Sequence, residues 1–540
     1  MPVFESTIDT NSAEYKANRE AMLTLVEEMR GLEAGIVKNS ARSKTRFEQR
    51  GQLLPRDRMA LLLDRGAPFL ELSTLAGYKT FDDDGEDNIA GGRQICGIGY
   101  VSGVRCMVAV HDSGIKAGSI HVMGLRKLLR AHKICLENKL PFVQLVHSAG
   151  ADLLGYEPET FIRGGEMFFN MSRLSAAGLP VITVVHGAST AGGAYMPGLS
   201  DYVVMVRKQS KAFLAGSPLV KAATGEVADD ESLGGADMHA TISGLTEYLV
   251  DDDAEALSVC RDIVARLNWE NRGPQKPAPD YAEPLYDIDE LCGIVPVDYR
   301  KPFDVREIIA RLVDGSDFLD FKPLFDEHTI CGHGAIMGQP VGILGNNGPI
   351  TPHGANKGAQ FIQLCCQSNT PLLFLQNTTG FIVGTEPEQS GMIKHGSKMV
   401  QAVSNATVPK LTLMVGASFG AGNYGMCGRA YEPRFLMGWP NYRLAVMGAD
   451  QAATTMAIVQ EAVAKRKGRE LDEENLESLK EQVRQRYQPI ESALYHTARL
   501  SDDGLIDPRD SRMVIGQLLS IVGEAAAREV HPNSFGVARF

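Results

Sequence analysis

Residues 180–195 read PVITVVHGASTAGGAY and residues 409–424 read PKLTLMVGASFGAGNY. They align without a gap at an offset of 229, and seven of the sixteen positions are identical: Pro180/Pro409, Thr183/Thr412, Gly187/Gly416, Ala188/Ala417, Ser189/Ser418, Gly193/Gly422 and Tyr195/Tyr424. Composition alone would give about one match. A second pair repeats in the same order: PFVQLVHSAG at 141–150 aligns with PLLFLQNTTG at 371–380, offset 230, sharing Pro141/Pro371, Leu145/Leu375 and Gly150/Gly380, with Cys135/Cys365 in the preceding segments. Two segments at nearly one offset mean two homologous domains. The period is far above the roughly 20–50 residues of a solenoid, and 540 residues exceed what one core holds.

Each half reads as α/β, with short apolar runs alternating with helical stretches. In the first half the runs are Val108–Val110, Phe142–Val146 and Val181–Val185, with helices near 121–138 and 162–177. In the second they are Val341–Leu344, Leu372–Leu375 and Leu411–Val415. Residues 1–65 form a helical arm, with Met22, Leu25, Val26 and Met29 at helical spacing. The first domain then spans 66–270. Pro274, Pro277, Pro279 and Pro284 mark a linker at 271–285, and the second domain spans 286–540. The Glu-, Lys- and Arg-rich stretch 457–490 reads as solvent-facing helix.

A net charge of −12 argues against a nucleic-acid surface. Nine scattered cysteines without a CxxC argue against a zinc ribbon or a disulfide framework, and no ligand spacing points to a metal. Asp82–Asp84 and Asp251–Asp253 read as solvated loops. The first residues lack a basic and apolar leader, and no run approaches the ~18 apolar residues of a membrane span. The expected setting is the cytoplasm, or the mitochondrial matrix if a presequence has been removed, with no membrane partner.

In each copy an apolar strand feeds a small-residue turn, Ala191-Gly192-Gly193-Ala194 in the first and Gly420-Ala421-Gly422-Asn423 in the second. A strand entering a helix through such a turn presents backbone N–H groups. These can hold an oxyanion or enolate oxygen, each donor contributing about 3–4 kcal/mol to the transition state. Small residues are expected because a side chain would block the oxygen. Packing of helix on strand is the plainer explanation, but it gives no reason for two such similar turns. Gly416-Ala-Ser-Phe-Gly420 also matches a nucleophile elbow. The same serine recurs as Ser189 with Ala191 in place of the last glycine, so the serine reads as structural in both. Gly97-Ile-Gly99 precedes a strand and lacks the context of a dinucleotide loop.

Over roughly 20–540 the chain resembles the carboxyltransferase (β) subunits of biotin-dependent acyl-CoA carboxylases. The resemblance is carried by Thr190-Ala-Gly-Gly-Ala-Tyr195, Phe213-Leu-Ala-Gly216, Lys221-Ala-Ala-Thr-Gly225, Leu233-Gly-Gly-Ala236, Phe303-Asp-Val-Arg306, Gly345-Asn-Asn-Gly348, Gly420-Ala-Gly-Asn-Tyr424 and Asp502-Asp-Gly504. The run from Gly422 to Arg429 is similar to the methylcrotonyl-CoA and geranyl-CoA branch, and the C-terminal segment from Asn533 to the geranyl-CoA side. The resemblance implies a tandem duplication of crotonase-type (ClpP/crotonase-like) β-β-α superhelical domains. It implies homo-oligomers built of dimers within a hexamer, and a partner α subunit that supplies biotin carboxylase and carries the biotin, since no Ala-Met-Lys-Met motif is present. Gly192 and Gly193 are then the catalytic pair for the thioester enolate. Ala421 and Gly422 are the pair for the ureido oxygen of biotin, with Gly420 and Asn423 beside them. Ser148, Ala149, Gly150, Ala151, Lys116, Ala191 and Phe419 are expected at the coenzyme A ester substrate. For a β-methyl enoyl-CoA, carboxylation falls on the γ-carbon. The chain departs from the pattern at Ala149, Ala117 and Asp450, which leaves the acyl chain open. A propionyl-CoA-type carboxylase, a biotin-dependent decarboxylase subunit and a non-catalytic scaffold are the competing readings, with a serine hydrolase remote.

Overall fold

The computed structural model describes residues 3–152, 158–269, 280–468 and 472–538. Most of the linker expected at 271–285, namely 271–279, lies outside them. The chain forms two compact units. The N-terminal unit comprises Gly31–Gln275, Ala498–Leu500 and Gly523–Phe540; the C-terminal unit comprises Met1–Arg30, Lys276–Thr497 and Ser501–Val522.

These limits differ from the sequence reading at both chain ends. The arm does contain a long helix, α1 (Ala13–Ala41), but the unit boundary falls inside it. Its start belongs with the C-terminal unit, where Glu307 accepts hydrogen bonds from Ser6 Oγ (2.6 Å) and Thr7 N (2.9 Å). The last residues belong with the N-terminal unit, where Asn533 N donates to Ala176 O (2.8 Å) and Val537 N to Ser175 Oγ (3.0 Å). Helical periodicity shows that a segment has an apolar face, but not which core it meets. Residues 280–285 pack on the C-terminal unit, with Leu285 N donating to Ser316 Oγ.

The N-terminal sheet is built from β1 (Leu70–Leu72), β2 (Gln94–Val101), β3 (Val104–His111), β4 (Phe142–Ser148), β5 (Val181–Thr190), β6 (Tyr202–Val206), β7 (Lys211–Phe213) and β8 (Tyr248–Val250). Its order is β1-β2-β3-β4-β5-β6-β8, with β7 pairing the end of β5. The C-terminal sheet contains β9 (Leu319–Asp320), β10 (Thr329–Ile336), β11 (Gln339–Asn346), β12 (Leu372–Thr378), β13 (Lys410–Phe419), β14 (Phe435–Gly438) and β15 (Arg443–Ala445). Its order is β14-β13-β12-β11-β10-β9, with β15 on β13. In both, an antiparallel hairpin (β2–β3, β10–β11) leads into parallel strands. Central parallel strands are covered on both faces and read as continuous apolar runs; all eight residues of β3 and all ten of β13 are buried.

The duplication extends to single bonds. In β4 the register shifts between Val146 and Ser148, so that Ser148 pairs with Ser189; in β12 it shifts between Gln376 and Thr378, so that Thr378 pairs with Ser418. Beyond the sheets, Ile120 bridges Ala151 and Ile350 bridges Phe381. At Gly187 an added Cβ would lie 2.4 Å from the His147 ring, and at Gly416 it would lie 2.4 Å from Asn377 Oδ1. Both glycines are therefore required by a side chain crossing from the neighbouring strand.

Candidate functional site

Both strands of the repeat end in a left-handed residue, Ala191 at φ 54° and Gly420 at φ 54°. Glycine adopts this without penalty, whereas alanine gives up about 1–2 kcal/mol. The turn that follows is a 3-10 segment, Ala191–Ala194, running into Tyr195–Gly198 in the first unit. In the second it opens the helix Gly422–Gly425 with Ala421 as its N-cap. The opening N–H groups of such segments have no partner within the helix. Gly192 and Ala421 are exposed, and Gly193 and Gly422 are buried beneath them. Tyr195 and Tyr424 stand exposed beside the two turns, at 47% and 48%.

The requirement for small residues is not the same in the two turns. A Cβ on Gly192 would meet the Phe168 ring at 3.6 Å, and one on Gly193 would meet Ser189 Oγ at 3.6 Å, both ordinary contacts. A Cβ on Gly422 would come within 2.8 Å of Thr378 Cγ2 and 2.9 Å of Gly380 Cα. Packing thus requires glycine at 422 and not at 192 or 193. Of the latter two, only Gly192 would direct a side chain toward Phe168.

The serines are structural. Ser189 Oγ donates to Gly193 O (2.8 Å) and is fully buried. Ser418 Oγ donates to Gln376 Oε1 (2.5 Å) and accepts from Asn423 Nδ2 (2.8 Å). No histidine contacts Ser418 in these bonds, so among the described residues the elbow-like motif has no base.

Ser148, Ala149, Gly150 and Ala151 follow β4 toward the first turn. Ser148 Oγ accepts from Gly150 N (3.1 Å), and Gly150 O accepts from Ile120 N (2.8 Å). Ala149 N donates to Ala117 O (3.2 Å), joining this segment to Lys116–Gly118, three successive left-handed residues. Lys116 pairs with Asp82 (2.5 Å). In the second unit Phe419 is buried edge-on against Tyr299, with ring centroids 5.0 Å apart. Asn423 is turned inward toward Ser418. Asp450 pairs with Arg300 (3.1 Å) and Arg484 (3.0 Å) on the wall of a polar cavity of about 340 Å³ that also includes Tyr299, Arg443 and Glu491.

Beside the first turn lies a cavity of about 460 Å³. Ala191, Gly192 and Gly193 form one wall. Ile120, Val122, Leu125, Met167 and Phe168 form its apolar body, and the helix Pro158–Ala176 contributes Phe161, Ile162, Gly164 and Gly165. A Cβ on either Gly164 or Gly165 would meet nothing within 4 Å. The sequence reading did not identify these helix residues. The available signal was two adjacent glycines inside a helical pattern, which cost stability without a packing or functional reason.

Behind the turn is a buried charged network. Arg58 Nε donates to Asp253 (2.9 Å), His186 Nδ1 contacts Asp253 (2.7 Å), and Arg58 Nη1 reaches His147 Nδ1 (3.2 Å). Burial and the Arg58 charge push His147 down to about 3 and His186 to about 4. Burial opposes ionisation of Asp253, but the His186 hydrogen bond and the neighbouring charges outweigh it and hold the carboxyl at about 2. The expectation that Asp251–Asp253 is a solvated loop is therefore corrected at Asp253, which is 1% exposed. Asp83, at 7%, corrects it for the other acidic run. Arg58 holds the Asp253 carboxylate, and the backbone N–H groups of Lys79 and Gly85 hold that of Asp83.

The Carboxyl transferase domain family matches residues 46–535. A Mycobacterium tuberculosis protein named "Probable biotin-dependent acyl-coenzyme A carboxylase beta2 subunit" is 48% identical over 539 residues, covering 99% of this chain and 100% of its own. The "Methylcrotonoyl-CoA carboxylase beta chain, mitochondrial" of Dictyostelium discoideum is 44% identical over 546 residues, covering 99% and 91%. Among solved structures, the β subunit of P. aeruginosa geranyl-CoA carboxylase superposes with a TM-score of 0.94 at 55% identity, covering 100% of both chains.

Proposed function

The chain belongs to the carboxyl transferase family of biotin-dependent acyl-CoA carboxylase β subunits, and we propose that it transfers CO2 to the γ-carbon of a β-methyl enoyl-CoA, geranyl-CoA before 3-methylcrotonyl-CoA. The observation that carries the substrate reading is the apolar cavity of about 460 Å³ opening on Gly192 and Gly193. Small-molecule pockets bury most of their ligand against apolar walls, and the unfilled space at Gly164 and Gly165 suits a branched chain longer than methylcrotonyl.

In this reading the thioester oxygen sits at the N–H groups of Gly192 and Gly193. Removal of a γ-proton spreads negative charge through the conjugated system onto that oxygen, and fixed donors stabilise it without reorganising. Ala191 shapes the turn, and the Ser148–Ala151 segment and Lys116 lie on the coenzyme A side. Biotin, carried by the α partner, supplies the CO2 unit. The second turn fits its neutral ureido oxygen: Ala421 is exposed, the donors are backbone N–H groups, and Asn423 is turned away toward Ser418. Gly420 and Phe419 hold this turn from behind. As its family resemblance implies, the chain would work as a homo-oligomer of dimers within a hexamer, in the cytoplasm or the mitochondrial matrix.

The test is to combine the chain with its biotinylated partner, ATP and labelled bicarbonate, and to offer geranyl-, 3-methylcrotonyl-, propionyl- and acetyl-CoA. Acid-stable label in the geranyl ester with the highest kcat/KM is expected. Label only in the saturated esters would overturn the substrate class.

A further inference from the structure

The two units share their backbone hydrogen bonds closely enough to pair residues across the duplication. Asp112 N donates to Arg93 O (3.0 Å), and Asn347 N donates to His328 O (2.8 Å). Ile120 N donates to Gly150 O (2.8 Å), and Ile350 N donates to Gly380 O (2.9 Å). Asp152 N and Ile382 N each donate to the isoleucine carbonyl at 3.0 Å. Arg93, Ser119 and Asp152 therefore occupy the places of His328, Pro349 and Ile382.

In the first unit these three side chains are bonded together. Arg93, 3% exposed, donates through Nη1 to Ser119 Oγ (2.5 Å) and Asp152 Oδ2 (2.8 Å), and through Nη2 to Asp82 Oδ2 (2.6 Å). Asp82 also receives Lys116 Nζ (2.5 Å) and lies 3.4 Å from His121 Nε2. Asp152 and His121 both line the cavity that opens on Gly192 and Gly193. Proline and isoleucine in the second unit cannot make these bonds, and there the connection from Asn347 to Ile350 is five residues shorter than the one from Asp112 to Ile120, so the Lys116–Gly118 turn has no counterpart. The lattice and the turn it holds belong to the first unit alone, the unit whose cavity opens on Gly192 and Gly193. Arg93 also stands at φ 57°, a left-handed conformation unfavourable for a side-chain-bearing residue and one that persists only where the surroundings enforce it.

We infer that Arg93 is a positioning residue for the acyl-CoA, fixing Asp152, which lines the cavity, to the Lys116–Ser119 turn. This rests on the function proposed above. What is specific to one copy of a duplicated fold serves the ligand specific to that copy. Loss of the lattice should therefore weaken acyl-CoA binding and leave events at the second turn unaffected.

The test uses the assembled enzyme with its biotinylated partner. Arg93→Met is expected to raise KM for the acyl-CoA by about tenfold with a smaller change in kcat. Release of CO2 from the carboxylated partner without acyl-CoA should stay at the wild-type rate. Arg93→Lys, which keeps the charge but not the fork, should recover part of the KM. Asp152→Asn provides a second variant that removes the ion pair without changing shape, and it should shift KM in the same direction. An unchanged KM in Asp152→Asn and in folded Arg93→Met overturns the inference, as does an equal loss of acyl-dependent and acyl-independent reactions. Failure of the wild-type chain with every acyl-CoA would instead sink the proposed function.

Discussion

Gly192 and Gly193 adjoin in one turn, yet the structure predicts opposite consequences for adding a side chain. From Gly192 a Cβ points toward the Phe168 ring on the cavity side, at 3.6 Å, and Gly192 itself is exposed. From Gly193 it points toward buried Ser189 Oγ, also at 3.6 Å. Neither contact forces a shift, so the fold should survive both changes. Gly192→Val places a branched side chain where the thioester oxygen has to approach. If the turn loses its hold on that oxygen, about 3–4 kcal/mol of transition-state stabilisation goes with it, or roughly two to three orders of magnitude in rate. Gly193→Ala keeps its N–H and directs its methyl away from the substrate, so its turnover should stay within about threefold, or 0.7 kcal/mol. The assay is steady-state labelled-bicarbonate incorporation, with thermal unfolding as a control for integrity. Equal activity in the two variants would refute the geometric reasoning, whether both were active or both dead.

Other consequences can be checked in the same assays. Gly164→Phe should fill part of the acyl cavity, lowering kcat/KM for geranyl-CoA at least tenfold more than for 3-methylcrotonyl-CoA. Ser418→Ala should retain carboxyl transfer while losing about 1–3 kcal/mol of stability, because Gln376 and Asn423 lose a buried partner; abolished turnover in a stable variant would revive the nucleophile. His132 is fully buried with neither ring nitrogen hydrogen-bonded among the described residues, and burial pushes it down to about 3. Its folded value lies below the unfolded ~6.5, so its neutral form favours the fold above pH 6.5 and stability falls as pH drops toward 3. His132→Phe should therefore flatten the loss of melting temperature between pH 7 and pH 5, by roughly 2 kcal/mol at pH 5.

The duplication was legible because the strand-turn segments carry it in consecutive residues, and the same turns predicted N–H groups presented at each strand end. The sequence concealed what depends on distant partners. Asp253 looked like one of three loop aspartates until Arg58 and His186 closed around it. Phe161 and Ile162 carried no signal in the sequence because the cavity they line forms only when Ile120 and Leu125, distant in the chain, come alongside their helix. The left-handed Ala191 was invisible because alanine does not signal that conformation, whereas Gly420 at the equivalent place does. The steric need for glycine was inferred for both turns from the ligand alone. In the second turn it comes instead from Thr378 and Gly380.

In the proposed function each turn serves one reacting oxygen, the acyl thioester at the first and biotin at the second. A structure of the assembled enzyme with a bound acyl-CoA and biotin tests it most directly. The thioester oxygen is expected about 2.7–3.1 Å from the N–H groups of Gly192 and Gly193, with the ureido oxygen at those of Ala421 and Gly422. A thioester oxygen bound at the second turn, or held by a side chain and no backbone donor, would contradict it.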